Sequence, residues 1–166
     1  LIKSDEILEF GAIHVHACST PGHTSACMTY HIGHYLFTGD CLFMPDYGTG
    51  RCDFPGGDAG QLFESIQKLY GMSDDLTVCT GHDYQPGGRP VEWHCPLIEQ
   101  KRSNIQLNEH TSFEEFVKFR QSRDQTLKTP KLLFPGLLVN IMAGHLPAAE
   151  SNGKSYLKIP ISQSAM

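Results

Sequence analysis

Three times in the first 84 residues, a short run of strand character breaks at a glycine-containing turn that carries a side chain able to hold a metal. The turns are Thr20-Pro21-Gly22-His23-Thr24, Phe37-Thr38-Gly39-Asp40 and Gly81-His82-Asp83-Tyr84. A Pro-Gly pair enforces a chain reversal. Imidazole and carboxylate together suit iron, zinc or manganese alike. Each turn alone also has an ordinary reading, since Gly-Asp after a strand is a common turn and one His in a loop is unremarkable. Three in succession constrain the chain more than any one of them.

The rest of the sequence limits what can surround such turns. At 166 residues and 40% apolar, the chain can bury a core. Thirteen basic against eighteen acidic residues give −5, with no basic run, which argues against nucleic acid as a partner. No apolar run reaches membrane-spanning length. Six cysteines without a Cys-x-x-Cys fit reduced thiols better than a zinc finger or disulfide scaffold, and so a cytoplasmic protein. The chain starts at Leu1 rather than Met, so a natural amino terminus upstream is expected.

Alternation predicts strands over 6–10 and 12–18, with His14 and His16 on a half-exposed polar face rather than at a metal. A hairpin is expected over 26–32 and 34–38 around Gly33. A long Gly/Pro/Asp-rich loop follows from Cys41 to Asp58, and loops of that length are commonly functional. Asp58, with Gln61 three residues on, can cap an amphipathic helix over 59–71, and a short strand follows at 76–80. After a turn at 86–90, Pro96 should open a helix to about Leu107. Ser112 and Glu115 form a capping box for another helix, to about Leu127. Lys101-Arg102 and the basic residues from Arg120 to Arg123 read as solvated faces. From Thr129 the chain reads as irregular, with apolar patches docking a tail onto the body.

Taken in this order, the three motifs resemble the metallo-β-lactamase superfamily. The loop Gly50-Arg51-Cys52-Asp53-Phe54 is similar to the persulfide (sulfur) dioxygenase branch, and most of all to its bacterial β-lactamase-like hydrolase (Blh) type. The similarity continues through Glu99 to Asn104, Glu115-Phe116-Val117, Asn140 to Leu146 and Tyr156 to Pro160. The resemblance implies an α/β fold, the αββα sandwich, with metal at the edge between two sheets. The family's first metal motif, His-x-His-x-Asp-His, has no counterpart in these residues. Residues 1–166 are therefore expected to form the carboxy-terminal portion of one incomplete domain.

Carried over residue by residue, His23 and Asp40 resemble metal ligands. His82 resembles the histidine at a second-metal position, near the site. Arg51 and Tyr84 are candidates for substrate binding, and loop packing is the competing reading for both. The implied cofactor is Fe(2+), with Zn(2+) the alternative. The implied reaction oxidises glutathione persulfide to sulfite and glutathione. Two further readings stand beside it: a glyoxalase II-like dinuclear thioesterase, and a non-catalytic fragment whose uncovered sheet face packs against a partner or a second copy.

Overall fold

The computed structural model describes residues 2–128 and 130–158, which fall into two compact units, Leu1–Thr126 and Leu127–Met166. The first unit is built on one six-stranded mixed sheet in sequential order. Its strands are β1 (Glu6–Phe10), β2 (Ile13–Ser19), β3 (Met28–Ile32), β4 (Tyr35–Gly39), β5 (Thr77–Thr80) and β6 (His94–Pro96). All neighbours pair antiparallel except β4 and β5. A parallel pair cannot be closed by a hairpin. The chain between them therefore makes a crossover through the loop from Cys41 and helix α1 (Ala59–Tyr70).

That topology points β2, β4 and β5 in the same direction, since β3 reverses between the first two. Their carboxy-terminal ends share one edge of the sheet, and the three turns leave from those ends. This is the side of an open α/β sheet on which sites are commonly built.

Helix α1 starts as its sequence implies. Asp58 accepts a hydrogen bond from the Gln61 N–H at 2.7 Å. Its buried Leu62, Ile66 and Leu69 meet Leu36 of β4 and Val78 of β5, and this cluster is the core. Helix α2 (Leu97–Ser103) and helix α3 (Phe113–Asp124) complete the unit, with Leu97 and Phe116 fully buried. The Ser112–Glu115 capping box is present in both directions.

Four sequence expectations are corrected here. The three-residue strand β6 has no sequence signature and exists because it pairs with β5. Helix α2 stops at Ser103 rather than Leu107, because Asn104 turns extended and its side-chain oxygen accepts from the N–H groups of Gln106 and Leu107. In the second unit, residues 133–141, expected to be irregular, form helix α4 (Leu133–Ile141). Arg120 is not on a solvated face: it is 1% exposed, bridged to Asp124 one helical turn on. Thr129 and Pro160, named in the sequence expectations, lie outside the described residues.

On the sheet face away from the core, Phe10, Ile13, Tyr35 and Phe37 are exposed, Phe10 by 63%. His14 and His16 lie exposed on β2, with His14 near Glu9. All six cysteines are free thiols, and burial pushes those of Cys52 and Cys95 up to about 12. No helix among the described residues is long and apolar enough to cross a membrane.

Candidate metal centre

The Pro21-Gly22-His23 turn is set against α1. Gly22 has φ +142°, and a Cβ on it would stand 2.4 Å from the Leu62 Cα. Only glycine fits there, and the next residue, His23, is thereby directed to the sheet edge. Gly50 has a similar duty on the facing loop, where a Cβ would come 2.0 Å from the Asp40 carbonyl oxygen.

Asp40 stands between two histidines. His23 Nε2 lies 3.3 Å from Asp40 Oδ2, and His82 Nδ1 lies 3.5 Å from Oδ1. The two imidazoles differ in what holds their other nitrogen. His23 Nδ1 is 2.6 Å from the Arg51 carbonyl oxygen, an acceptor only, so Nδ1 carries the proton. In the neutral ring Nε2 then presents a lone pair to a carboxylate oxygen, and two acceptors face each other across 3.3 Å. Such a gap is favourable only with a cation or a second ring proton in it. The donor set fits a metal: one imidazole nitrogen and one carboxylate oxygen, oriented through the imidazole's other nitrogen.

His82 can satisfy both ring nitrogens without a metal. Its Nε2 is 2.7 Å from the Tyr84 hydroxyl. The hydroxyl can donate as well as accept, unlike the carbonyl that holds His23. With Tyr84 donating, the ring proton sits on Nδ1, facing Asp40 Oδ1. Among the described residues, no group of three or more His, Cys, Asp or Glu side chains is arranged to hold a metal.

Aromatic rings close the rim. Tyr84 stacks on Tyr47 at 4.1 Å, Phe43 meets both Tyr84 and His82 edge-on or tilted, and Phe54 stands edge-on to His23 at 5.2 Å. The Arg51 guanidinium lies 5.1 Å over Phe54 and donates to Asp53 through Nε and Nη2, both at 2.5 Å. All five residues singled out in the sequence thus come together, with the Arg51 fork engaged inside its own loop.

The sequence did not disclose the buried polar residues behind the loop. Gln100 Nε2 donates to the Phe43 carbonyl, Asn104 Nδ2 to that of Gly48, and Gln106 Nε2 to that of Tyr47. On the other flank, Arg89 grips Asp46 and Asp83 together, joining the loops after β4 and β5. Hydrogen bonds from Arg89 hold the Asp83 carboxyl down to about 2. A folded-state value below the ordinary 3.8 means Asp83 contributes stability that is complete above that pH and is lost as pH falls toward about 2. Asp83→Asn should therefore lower stability at neutral pH and flatten its pH dependence between about 4 and 2, read from urea midpoints across that window. An acid limb as steep as the parent's would count against this.

A mixed sheet with polar turns gathered at the carboxy-terminal ends of its co-directed strands defines an α/β protein with its site at one sheet edge. The chain belongs to the metallo-β-lactamase superfamily: residues 1–82 match the model of that family, whose members depend on metal. It is 48% identical over 161 residues to the beta-lactamase hydrolase-like protein of Agrobacterium fabrum, covering 97% of this chain and 37% of that one. It is 33% identical over 121 residues to the mitochondrial persulfide dioxygenase ETHE1 of Homo sapiens, covering 70% and 44%. The crystal structure of ETHE1 from Myxococcus xanthus superposes with a TM-score of 0.77 at 31% identity, over 87% of this chain and 60% of that one. The chain thus spans between about a third and three fifths of these relatives' lengths.

Proposed function

We propose that this chain supplies a histidine and a carboxylate to the metal centre of a persulfide dioxygenase. One observation carries the reading: His23 Nε2 faces Asp40 Oδ2 across 3.3 Å while Nδ1 is committed to the Arg51 carbonyl. His23 and Asp40 would hold Fe(2+). A ferrous ion held by few protein ligands keeps positions open for a sulfur donor and dioxygen. His82, with its ring nitrogens facing Asp40 and Tyr84, would orient the carboxylate rather than hold the metal. Phe43, Tyr47 and Phe54 line the rim with aromatic surface. Tyr84, and Arg51 through its hold on the loop, shape the entry for a glutathione-like persulfide. The overall change takes one persulfide, one dioxygen and one water to sulfite, glutathione and two protons.

The second sheet of the αββα sandwich would cover Phe10, Ile13, Tyr35 and Phe37 and bring the first metal motif, His-x-His-x-Asp-His. The second reading is a thioesterase of the glyoxalase II type. One feature favours it, the presentation of opposite Asp40 oxygens to two different histidines, as in a carboxylate bridging two metals.

The test uses the 166 residues alone and the same residues joined to an upstream segment carrying His-x-His-x-Asp-His. Oxygen uptake with glutathione persulfide is measured beside hydrolysis of a glutathione thioester. We expect little turnover by the chain alone, since two protein ligands hold a metal loosely. Persulfide-dependent oxygen uptake is expected from the longer form. Thioester hydrolysis without oxygen uptake would establish the second reading. Robust oxygen uptake by the 166 residues alone would show that His23 and Asp40 suffice.

A further inference from the structure

Behind His23 stands a single amide, and behind that amide a buried ion pair. The Arg51–Cys52 peptide group is held at both ends. Its C=O accepts from His23 Nδ1 at 2.6 Å, and its N–H donates to Asp124 Oδ2 at 2.8 Å. The other Asp124 oxygen accepts from Arg120 Nε at 3.0 Å and Nη2 at 2.7 Å. Arg120 spends its remaining nitrogen, Nη1, on Gln106 Oε1 at 2.9 Å, and that oxygen also accepts from the Thr49 N–H at 3.1 Å. Asp124 is 7% exposed and Arg120 1%. A continuous line of hydrogen bonds therefore runs from α3 through one peptide group to the imidazole that faces Asp40.

We propose that Asp124 is a positioning residue for His23. Its carboxylate, neutralised by Arg120, locks the Arg51–Cys52 amide. That amide fixes the His23 ring in its Nδ1–H tautomer with Nε2 toward Asp40. The relevance of this to metal binding rests on the role proposed above for His23. Two physical effects act in one direction. A charged acceptor on the N–H of an amide polarises it and strengthens its carbonyl as an acceptor. A ligating imidazole is oriented by whatever holds its other nitrogen, and outer partners of this kind are worth about 10–100-fold in metal affinity. The link is also specific. Any polar group could satisfy a buried Cys52 N–H, but this peptide's own carbonyl is the one that meets His23.

Two variants test it. Arg120→Met with Asp124→Leu removes both charges together, so no buried charge is left unpaired. Asp124→Asn keeps the shape and an acceptor for the Cys52 N–H while removing the charge. Long-range proton–nitrogen spectra of the metal-free chain report the His23 ring tautomer. Competition with a chromophoric chelator gives the Zn(2+) dissociation constant, and thermal melting reports folding separately. In the parent, His23 is expected in the Nδ1–H form. In the folded double variant the tautomers should mix and Zn(2+) affinity should fall by about 10–100-fold, with a smaller loss for Asp124→Asn. A purely structural role would lower the melting temperature and leave the ring spectrum and affinity alone, and that result overturns the proposal. So does a parent spectrum showing the Nε2–H form, which needs no variant to fold. If the parent binds no Zn(2+) yet the ring spectrum responds to the variants, the positioning stands and the metal role of His23 falls.

Discussion

In the form joined to the upstream His-x-His-x-Asp-His segment, replacing His23 with alanine is expected to leave a folded protein that no longer retains metal through dialysis. The side chain is the one imidazole in the site whose Nε2 lone pair has only a carboxylate oxygen to face. In the role proposed above, its removal deletes a ligand rather than an outer partner, so the loss of affinity should exceed the about 10–100-fold of outer-partner changes. Folding should suffer little, since the ring gives up one hydrogen bond, worth about 1 kcal/mol, and an edge contact with Phe54. His82→Ala is the informative companion. The Tyr84 hydroxyl can donate to its Nε2 and leave a proton on Nδ1 toward Asp40, so metal retention should persist. Elemental analysis of dialysed protein, with circular dichroism as the folding control, decides between outcomes. Equal metal loss in both variants would move the assignment to the dinuclear thioesterase. Unchanged metal content in His23→Ala would refute the site altogether.

The second large effect is on stability. Arg120→Ala should destabilise the chain by about 3–5 kcal/mol, because it leaves the Asp124 charge buried without its partner. That is a large share of the 5–15 kcal/mol by which domains typically hold together. It also withdraws the Nη1 donor from Gln106, whose oxygen anchors Thr49. Arg102, exposed on α2, provides the contrast, and Arg102→Ala should stay within about 0.5 kcal/mol of the parent. Urea midpoints at constant m-value measure both. Equal small shifts for the two arginines would show that burial of Arg120 carries no energetic weight.

These two arginines show where sequence reading stops. Both stand in short charged stretches and both look solvated. Arg120 is buried because Phe116, Arg120 and Asp124 recur on one helical face, and that face meets the loop of residues 47–52. A stripe of one aromatic and two opposite charges has no apolar periodicity, so nothing local marks it as inward-facing. The engaged state of the Arg51 fork was likewise invisible, although Asp53 lies two residues away. The residues at the site fared better, because turn chemistry is local. Gly22 before His23 and Gly39 before Asp40 take positive φ, which favours glycine at both turns.

What the 166 residues determined by themselves is the list of parts: strands by alternation, α1 and α3 by their caps, and three polar turns in order. Those features depend on contacts within a few residues, and short-range sterics and hydrogen bonding decide them. Tertiary structure alone decided that the three turns meet. The parallel pairing of β4 with β5, closed by the crossover through α1, turns three strand ends to one side. It also decided that an ion pair on α3, 72 residues from Cys52, stands behind His23. Partners so far apart are brought together only by packing, and packing is a property of the whole folded chain.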